Sequence, residues 1–300
     1  MTPPLPDTIG RYEVQKCLGQ GSMGIVYLAK DPSALKRLVA IKVLRVDDDE
    51  MRARFEREAE LIGQFRHNHI VSVYDVGDHD GRPFITMEYV PGETLADKIN
   101  NRESLTLGRR LALIEALCDG LAYAHARNVI HRDVKPANLV IDDDGELRIL
   151  DFGIARSVAS TDLTQLGMVM GTPRYMSPEQ LDNPQVDHRS DIFSVGCVLY
   201  ELLCYEPAFP GDQLDFVTYR IVHEAPKSLK AIDARLPAGL SQVVDRALQK
   251  QRDKRYQSLT AMKADLVRIR ASLNADTLSA TVTRPRRVPA RVRSAPARTR

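Results

Sequence analysis

The chain has 300 residues, of which 43% are apolar and 27% charged, with a net charge of +2. That is enough apolar content for a real core and enough length for two lobes sharing a cleft. Seven arginines and one aspartate fall between Ser272 and Arg300, so the remainder is mildly acidic and offers no footing for nucleic acid.

The first ten residues are expected to be disordered. From Arg11 to Leu18 and from Ile25 to Lys30, apolar and polar residues alternate as in strands and flank a glycine-rich turn, and Leu38 to Leu44 is a β-branched apolar run. Glu50 to Arg66 has helical periodicity. Ile70 to Val76 and Pro83 to Tyr89 read as two further strands around Gly77 to Gly81. From about Thr94 the pattern turns helical, with Leu111, Ile114, Cys118, Leu121 and His125 recurring at spacings of three and four. A hairpin of Leu139 to Ile141 and Glu146 to Leu150 turns at Asp142-Asp143-Asp144-Gly145. More helices are expected at Arg189–Leu203, Gln213–His223, Leu240–Gln249 and Leu259–Leu273. A small strand-rich lobe, about 11–90, followed by a larger helical lobe, about 91–273, implies a cleft between them.

Three segments carry chemistry. In Gly19-Gln20-Gly21-Ser22-Met23-Gly24, glycines let the backbone approach a polyanion and point N–H groups at phosphate oxygens. The segment lies between two strands with no helix after it, which argues against a dinucleotide fold; a plain hairpin turn is the bland alternative. Next, Lys42 interrupts an apolar strand, so its ammonium either snorkels to solvent or meets an anion in the cleft. On the following helix, Phe55, Ala59, Ile62 and Phe65 define the apolar face. Glu58 lies on that face and needs a partner, for which Lys42 is the natural candidate, whereas Glu56 and Glu60 point to solvent. The densest segment is His131-Arg132-Asp133-Val134-Lys135-Pro136-Ala137-Asn138, followed by Asp151-Phe152-Gly153. The intervening hairpin brings Asn138 and Asp151 together as oxygen ligands suited to Mg²⁺. Asp133 can accept a proton from an attacking hydroxyl, and Lys135 can neutralise charge on a moving phosphoryl group.

In this order, the glycine-rich loop, the strand lysine, H-R-D-x-K-x-x-N and D-F-G resemble the eukaryotic-type (Hanks-type) serine/threonine protein kinase catalytic domain, most of all its bacterial members. The resemblance covers roughly residues 10–273 and implies an α+β bilobal fold. Its N-lobe would hold a five-stranded antiparallel sheet plus one helix, and its C-lobe would be mostly helical. It further implies transfer of the ATP γ-phosphoryl group to Ser/Thr hydroxyls of proteins, with Asp133, Lys135, Lys42 and Glu58 as catalytic residues. Asn138 and Asp151 would hold Mg²⁺, for which Mn²⁺ can stand in. ATP would lie against Leu18, Gly19, Gly21, Gly24, Val26, Ala40, Lys42 and Val140. Met87 stands at the gatekeeper position, with hinge groups from Glu88 and Val90. Lys135 and Gly171-Thr172-Pro173-Arg174-Tyr175 resemble the serine/threonine branch. Ser177-Pro178-Glu179 replaces the usual Ala-Pro-Glu, with Glu179 expected to pair with Arg255, and Asp191 resembles the residue that holds the catalytic loop. An inactive kinase-like scaffold is the rival class, but none of Lys42, Asp133, Asn138 or Asp151 is missing.

Arg132 beside the catalytic Asp implies regulation by loop phosphorylation, with Thr164 as the expected site and transient self-association as the route. The cysteines (Cys17, Cys118, Cys197, Cys204) form no CxxC pair and no metal-ligand spacing and read as reduced thiols. Met1 to Gly10 lacks the apolar stretch of a signal peptide, and Ile192 to Cys204 is too short to span a bilayer, so a cytoplasmic domain is expected. Residues 274–300, rich in Arg and Pro, read as a disordered basic tail that could be drawn to anionic lipid.

Overall fold

In the computed structural model, the described residues are 5–21, 24–33, 35–45, 49–152, 173–182 and 186–282. Strands β1 (Thr8–Ile9), β2 (Tyr12–Gly21), β3 (Gly24–Asp31), β4 (Arg37–Leu44), β5 (Val73–His79) and β6 (Arg82–Glu88) form one antiparallel sheet in the order β1-β2-β3-β4-β6-β5. Five of these are the expected strands. The sixth is an edge pair, Thr8 and Ile9 against Glu13 and Tyr12, inside the stretch expected to lack structure. It forms because Ile9 and Tyr12 are both buried against Phe84, where their apolar area is worth more than chain entropy.

Helix α1 (Asp49–Gly63) packs on the sheet through Phe55 and Ala59. Ile62 and, just beyond the helix, Phe65 belong instead to the large core of the second lobe, so this segment seats in both.

The second lobe opens with β7 (Gly92–Thr94), α2 (Leu95–Asn100) and α3 (Leu107–His125). Thr94 caps α2 in a reciprocal capping box with Asp97, and Thr106 caps α3 through the amide of Arg109. A single 3₁₀ turn, Pro136–Asn138, leads into β8 (Leu139–Asp142) and β9 (Leu147–Ile149), which with β7 make a three-stranded sheet. Helices α4 (Pro178–Asp182), α5 (Arg189–Cys204), α6 (Leu214–His223), α7 (Leu229–Ile232), α8 (Ala238–Ala247) and α9 (Leu259–Val282) complete the lobe. Helix α5 is almost wholly buried, from Ser190 to Leu203, which explains why its sequence is apolar on nearly every face. Helix α9 continues past Leu273, where the composition shift suggested an end. No helix among the described residues is long and apolar enough to cross a membrane.

Candidate active site

The centre of the cleft floor is a backbone problem solved by one buried carboxylate. Asp191, at the start of α5, has no solvent exposure and accepts the amide N–H groups of His131 (2.8 Å) and Arg132 (2.9 Å). It also accepts the Nε2 proton of His125, at 2.7 Å. Burial alone would raise its pKa, but the His125 hydrogen bond and the nearby imidazoles hold the carboxyl below the usual range. Held this way, the loop can carry Arg132 at φ +62°, a left-handed conformation that costs a non-glycine residue energy.

His131 is buried and its tautomer follows from its partners. Nδ1 accepts the Asp133 amide (3.3 Å), so Nε2 bears the proton, donated to the Leu150 carbonyl at 3.0 Å. Its ring lies 4.7 Å from that of Phe152, which in turn meets Phe65 edge-on. The loop that carries Asp133 is thus fastened to Leu150 and Phe152, on either side of Asp151.

Asp133, Lys135 and Asn138 come together as the sequence suggested. Asp133 Oδ2 accepts from Lys135 Nζ at 2.8 Å and from Asn138 Nδ2 at 3.0 Å, and the same Nδ2 reaches the Asp133 carbonyl at 2.8 Å. With its amide nitrogen used inward, Asn138 presents Oδ1 elsewhere, the orientation a hard-cation ligand requires. The Asn138 carbonyl accepts the Leu150 N–H at 2.8 Å, which sets it beside Asp151 as the hairpin argument expected.

Across the cleft, Lys42 differs from expectation. Its ammonium is bound by Asp151 Oδ2 at 2.8 Å, where pairing with Glu58 was foreseen. Asp151 sits at φ +47° just beyond β9, and Glu58 is half-buried on α1, which is anchored by Phe55 and Ala59. Behind Lys42 and Asp151 lies a small cavity of about 30 Å³ whose walls include Phe55, Ile62, Met87 and Phe152.

The expected nucleotide wall is assembled on one side. Ala40 and Met87 are buried in a cluster with Val26 and Val90 packed against it. Val140 is buried on β8 below, and Leu18 is 40% exposed on β2. Glu88 directs its N–H to the Ser72 carbonyl at 2.9 Å. Among the glycines, a Cβ on Gly24 would lie 2.0 Å from the Val43 carbonyl oxygen at φ +151°, whereas one on Gly19 or Gly21 would meet nothing within 4 Å. Gly24 is therefore demanded by the fold, whereas Gly19 and Gly21 of the same loop leave open space for a ligand. Gly153, Thr164, Gly171 and Thr172 lie outside the described residues.

Residues 12–267 match the protein kinase domain family. The chain belongs to that family. It is 44% identical over 268 residues to the serine/threonine-protein kinase PknB of Mycobacterium tuberculosis, covering 86% of this chain and 43% of that protein. It is 41% identical over 266 residues to the probable serine/threonine-protein kinase SCO3848 of Streptomyces coelicolor, covering 86% of this chain and 39% of that protein. A probable serine/threonine-protein kinase PknB of Bifidobacterium longum is 37% identical over 272 residues, again 86% of this chain and 39% of the other. The chain thus spans less than half the length of these relatives. Within it lies a Hanks-type kinase domain of the bacterial serine/threonine kind.

The kinase fold also explains features the sequence did not announce. Glu179 on α4 is gripped by Arg255, Nη1 to Oε1 at 2.6 Å and Nη2 to Oε2 at 2.7 Å, and accepts Ser190 Oγ at 2.7 Å. The Arg255 pairing was expected; the Ser190 contact and the His125 bond to Asp191 were not. Tyr175 donates to Glu201 at 2.5 Å and its carbonyl accepts from Ser194 Oγ, fixing the segment before α4 onto α5. Only His125, spaced with the apolar face of α3, left a trace in the sequence.

Proposed function

We propose that this kinase domain moves the γ-phosphoryl group of ATP to Ser or Thr hydroxyls of proteins with Asp133 as the base. The observation that carries the reading is the set of contacts on Asp133 Oδ2, where Lys135 and Asn138 both donate. They hold the carboxylate in one orientation, ready to receive the proton of a substrate hydroxyl. Lys135, 37% exposed, can turn from Asp133 to the transferring phosphoryl oxygens. Lys42 would hold the nucleotide phosphates, with Glu58 and Asp151 as its alternative anchors, and Gly19 and Gly21 would bring amide groups to them. The adenine would sit among Leu18, Val26, Ala40, Met87 and Val140, with the Glu88 carbonyl and the Val90 N–H as its polar partners. Asn138 Oδ1 and Asp151 would hold Mg²⁺ or Mn²⁺, which supplies charge neutralisation between the phosphates.

The finer assignments follow the same reading. Phosphorylation of Thr164 by a second copy would supply an anion to the loop beside Arg132. The basic stretch beyond the domain would be attracted to anionic lipid, with the domain on the cytoplasmic face.

The experiment is a phosphorylation assay with ATP and Mg²⁺ on a generic basic protein and on the domain itself. Asp133→Asn should lower kcat by about 10³-fold or more with a circular dichroism spectrum unchanged. An Asp133→Asn protein with wild-type activity would remove Asp133 as the base.

A further inference from the structure

The lobes of the kinase domain are joined at the hinge by more than the chain. Arg148 on β9, in the lower sheet, reaches up to Glu88 at the end of β6, with Nη2 and Oε2 2.6 Å apart and side chains 19% and 26% exposed. Glu88 Oε2 also receives the Ser72 N–H at 3.3 Å, and the Glu88 N–H returns to the Ser72 carbonyl at 2.9 Å. Ser72 closes a segment laid along β9, where Ile149 N–H donates to the His69 carbonyl (2.8 Å) and Val71 N–H to the Ile149 carbonyl (3.1 Å). One carboxylate therefore gathers three pieces of chain: the hinge, the entry to β5, and the strand that runs directly into Asp151.

Packing alone gives no reason for an arginine there. Arg148 stands opposite Val140, and its Nε is buried without a hydrogen-bond partner among the described residues, a cost that a smaller apolar side chain would avoid. Its other carboxylate neighbour, Asp142, is 3.9 Å away, too far for a hydrogen bond. The side chain is committed to Glu88, and a guanidinium reaches and holds a carboxylate with fixed geometry in a way a lysine does not.

We propose that Arg148 is a positioning residue for nucleotide binding: its ion pair with Glu88 locks the hinge onto β9 and so fixes the height of the adenine slot between Ala40 above and Val140 below. This rests on the reading that ATP binds in that slot. A slot held open at the right height costs less to fill, so the pair acts on nucleotide affinity and leaves the transfer step alone.

The test is a cycle of Arg148→Met, Glu88→Gln and the double variant, with Arg148→Lys as the conservative change. Each is assayed for ATP KM and kcat, for nucleotide Kd by calorimetry, and for melting temperature. Arg148→Met should raise ATP KM and Kd together by roughly three- to tenfold with kcat within about twofold. Glu88→Gln, which keeps the backbone carbonyl offered to adenine, should likewise raise KM and Kd, the double variant should be no worse than either single one, and Arg148→Lys should recover part of the loss. Should Arg148→Met fail to fold, Glu88→Gln, nearly isosteric, and Arg148→Lys carry the test. Unchanged KM and Kd beside a lowered melting temperature would overturn the proposal, as would additive effects in the double variant or a loss confined to kcat. A wild-type domain that binds no nucleotide sinks the functional reading itself, a result distinct from variants that bind as well as wild type.

Discussion

At the residue scale, a motif states which residue types are present but not what each one answers to. The glycine-rich segment was legible as a phosphate-approaching turn, yet its three glycines divide by cause. Gly24 has backbone at φ +151° and the Val43 carbonyl where a side chain would go, so Gly24→Ala should destabilise the domain by about 2 kcal/mol or more. Gly19→Ala and Gly21→Ala meet no atoms and should shift stability by less than about 1 kcal/mol in either direction, with any effect appearing in ATP affinity. Urea denaturation of the three variants side by side checks this; equal destabilisation at all three would show that the division is wrong. Sequence reasoning missed the distinction because the obstacle to Gly24 comes from β4, nineteen residues along and paired with β3 only after folding. For the same reason it could name Lys42 and Asp151 separately without seeing that they would face one another: they stand 109 residues apart and meet only after folding.

At the element scale, short helix α4 has too little hydrogen bonding of its own to persist and is held from outside, chiefly by a buried ion pair beside the Ser190 and Gln180 hydrogen bonds. Arg255 has a fully buried side chain, and Glu179 is 13% exposed. Removing either partner leaves the other charge buried, so Glu179→Gln and Arg255→Met should each cost about 3 to 5 kcal/mol. The pair was legible from Ser177-Pro178-Glu179 because the motif fixes the helix start. Its cost was not, since burial depends on α5 and the turn before α9 closing around it. Its pH dependence has a definite sign. Burial would raise the Glu179 pKa, but the hydrogen bonds from Arg255 and Ser190 win and lower it below the ordinary 4.5. A carboxyl lowered on folding contributes stability that is complete above its unfolded pKa and fades as pH falls through the folded value. Wild type should therefore lose stability on acidification below about pH 4.5 more steeply than Glu179→Gln, as followed by urea midpoints at stepped pH. Parallel slopes for the two proteins would count against the argument.

For the whole molecule, the question is what makes two lobes behave as one body. Apolar contact crosses between them where Ile62 and Phe65, from the α1 segment, enter the core of the helical lobe beside Phe152. The amphipathic face of that helix could be read in advance, but not that it serves two cores, because a helical period says which side is apolar and not what lies opposite each turn. Electrostatic contact crosses through Lys42 on β4 and Asp151 beyond β9, 17% and 27% exposed respectively. That exposure places the pair between a surface bridge and a buried one, so its loss should cost about 1 to 2 kcal/mol. Lys42→Met strands the carboxylate and should show the full cost; Lys42→Met with Asp151→Asn strands nothing and should regain part of it. Both variants should lose phosphotransfer by about 10²-fold or more, since each removes a charge that the phosphates or their cation require. The two readouts separate the roles. Stability that recovers in the double variant while activity stays lost means that one contact both ties the lobes and handles phosphate. A double variant no more stable than Lys42→Met, measured by urea denaturation followed with far-ultraviolet circular dichroism, would show that the Lys42–Asp151 contact does not tie the lobes.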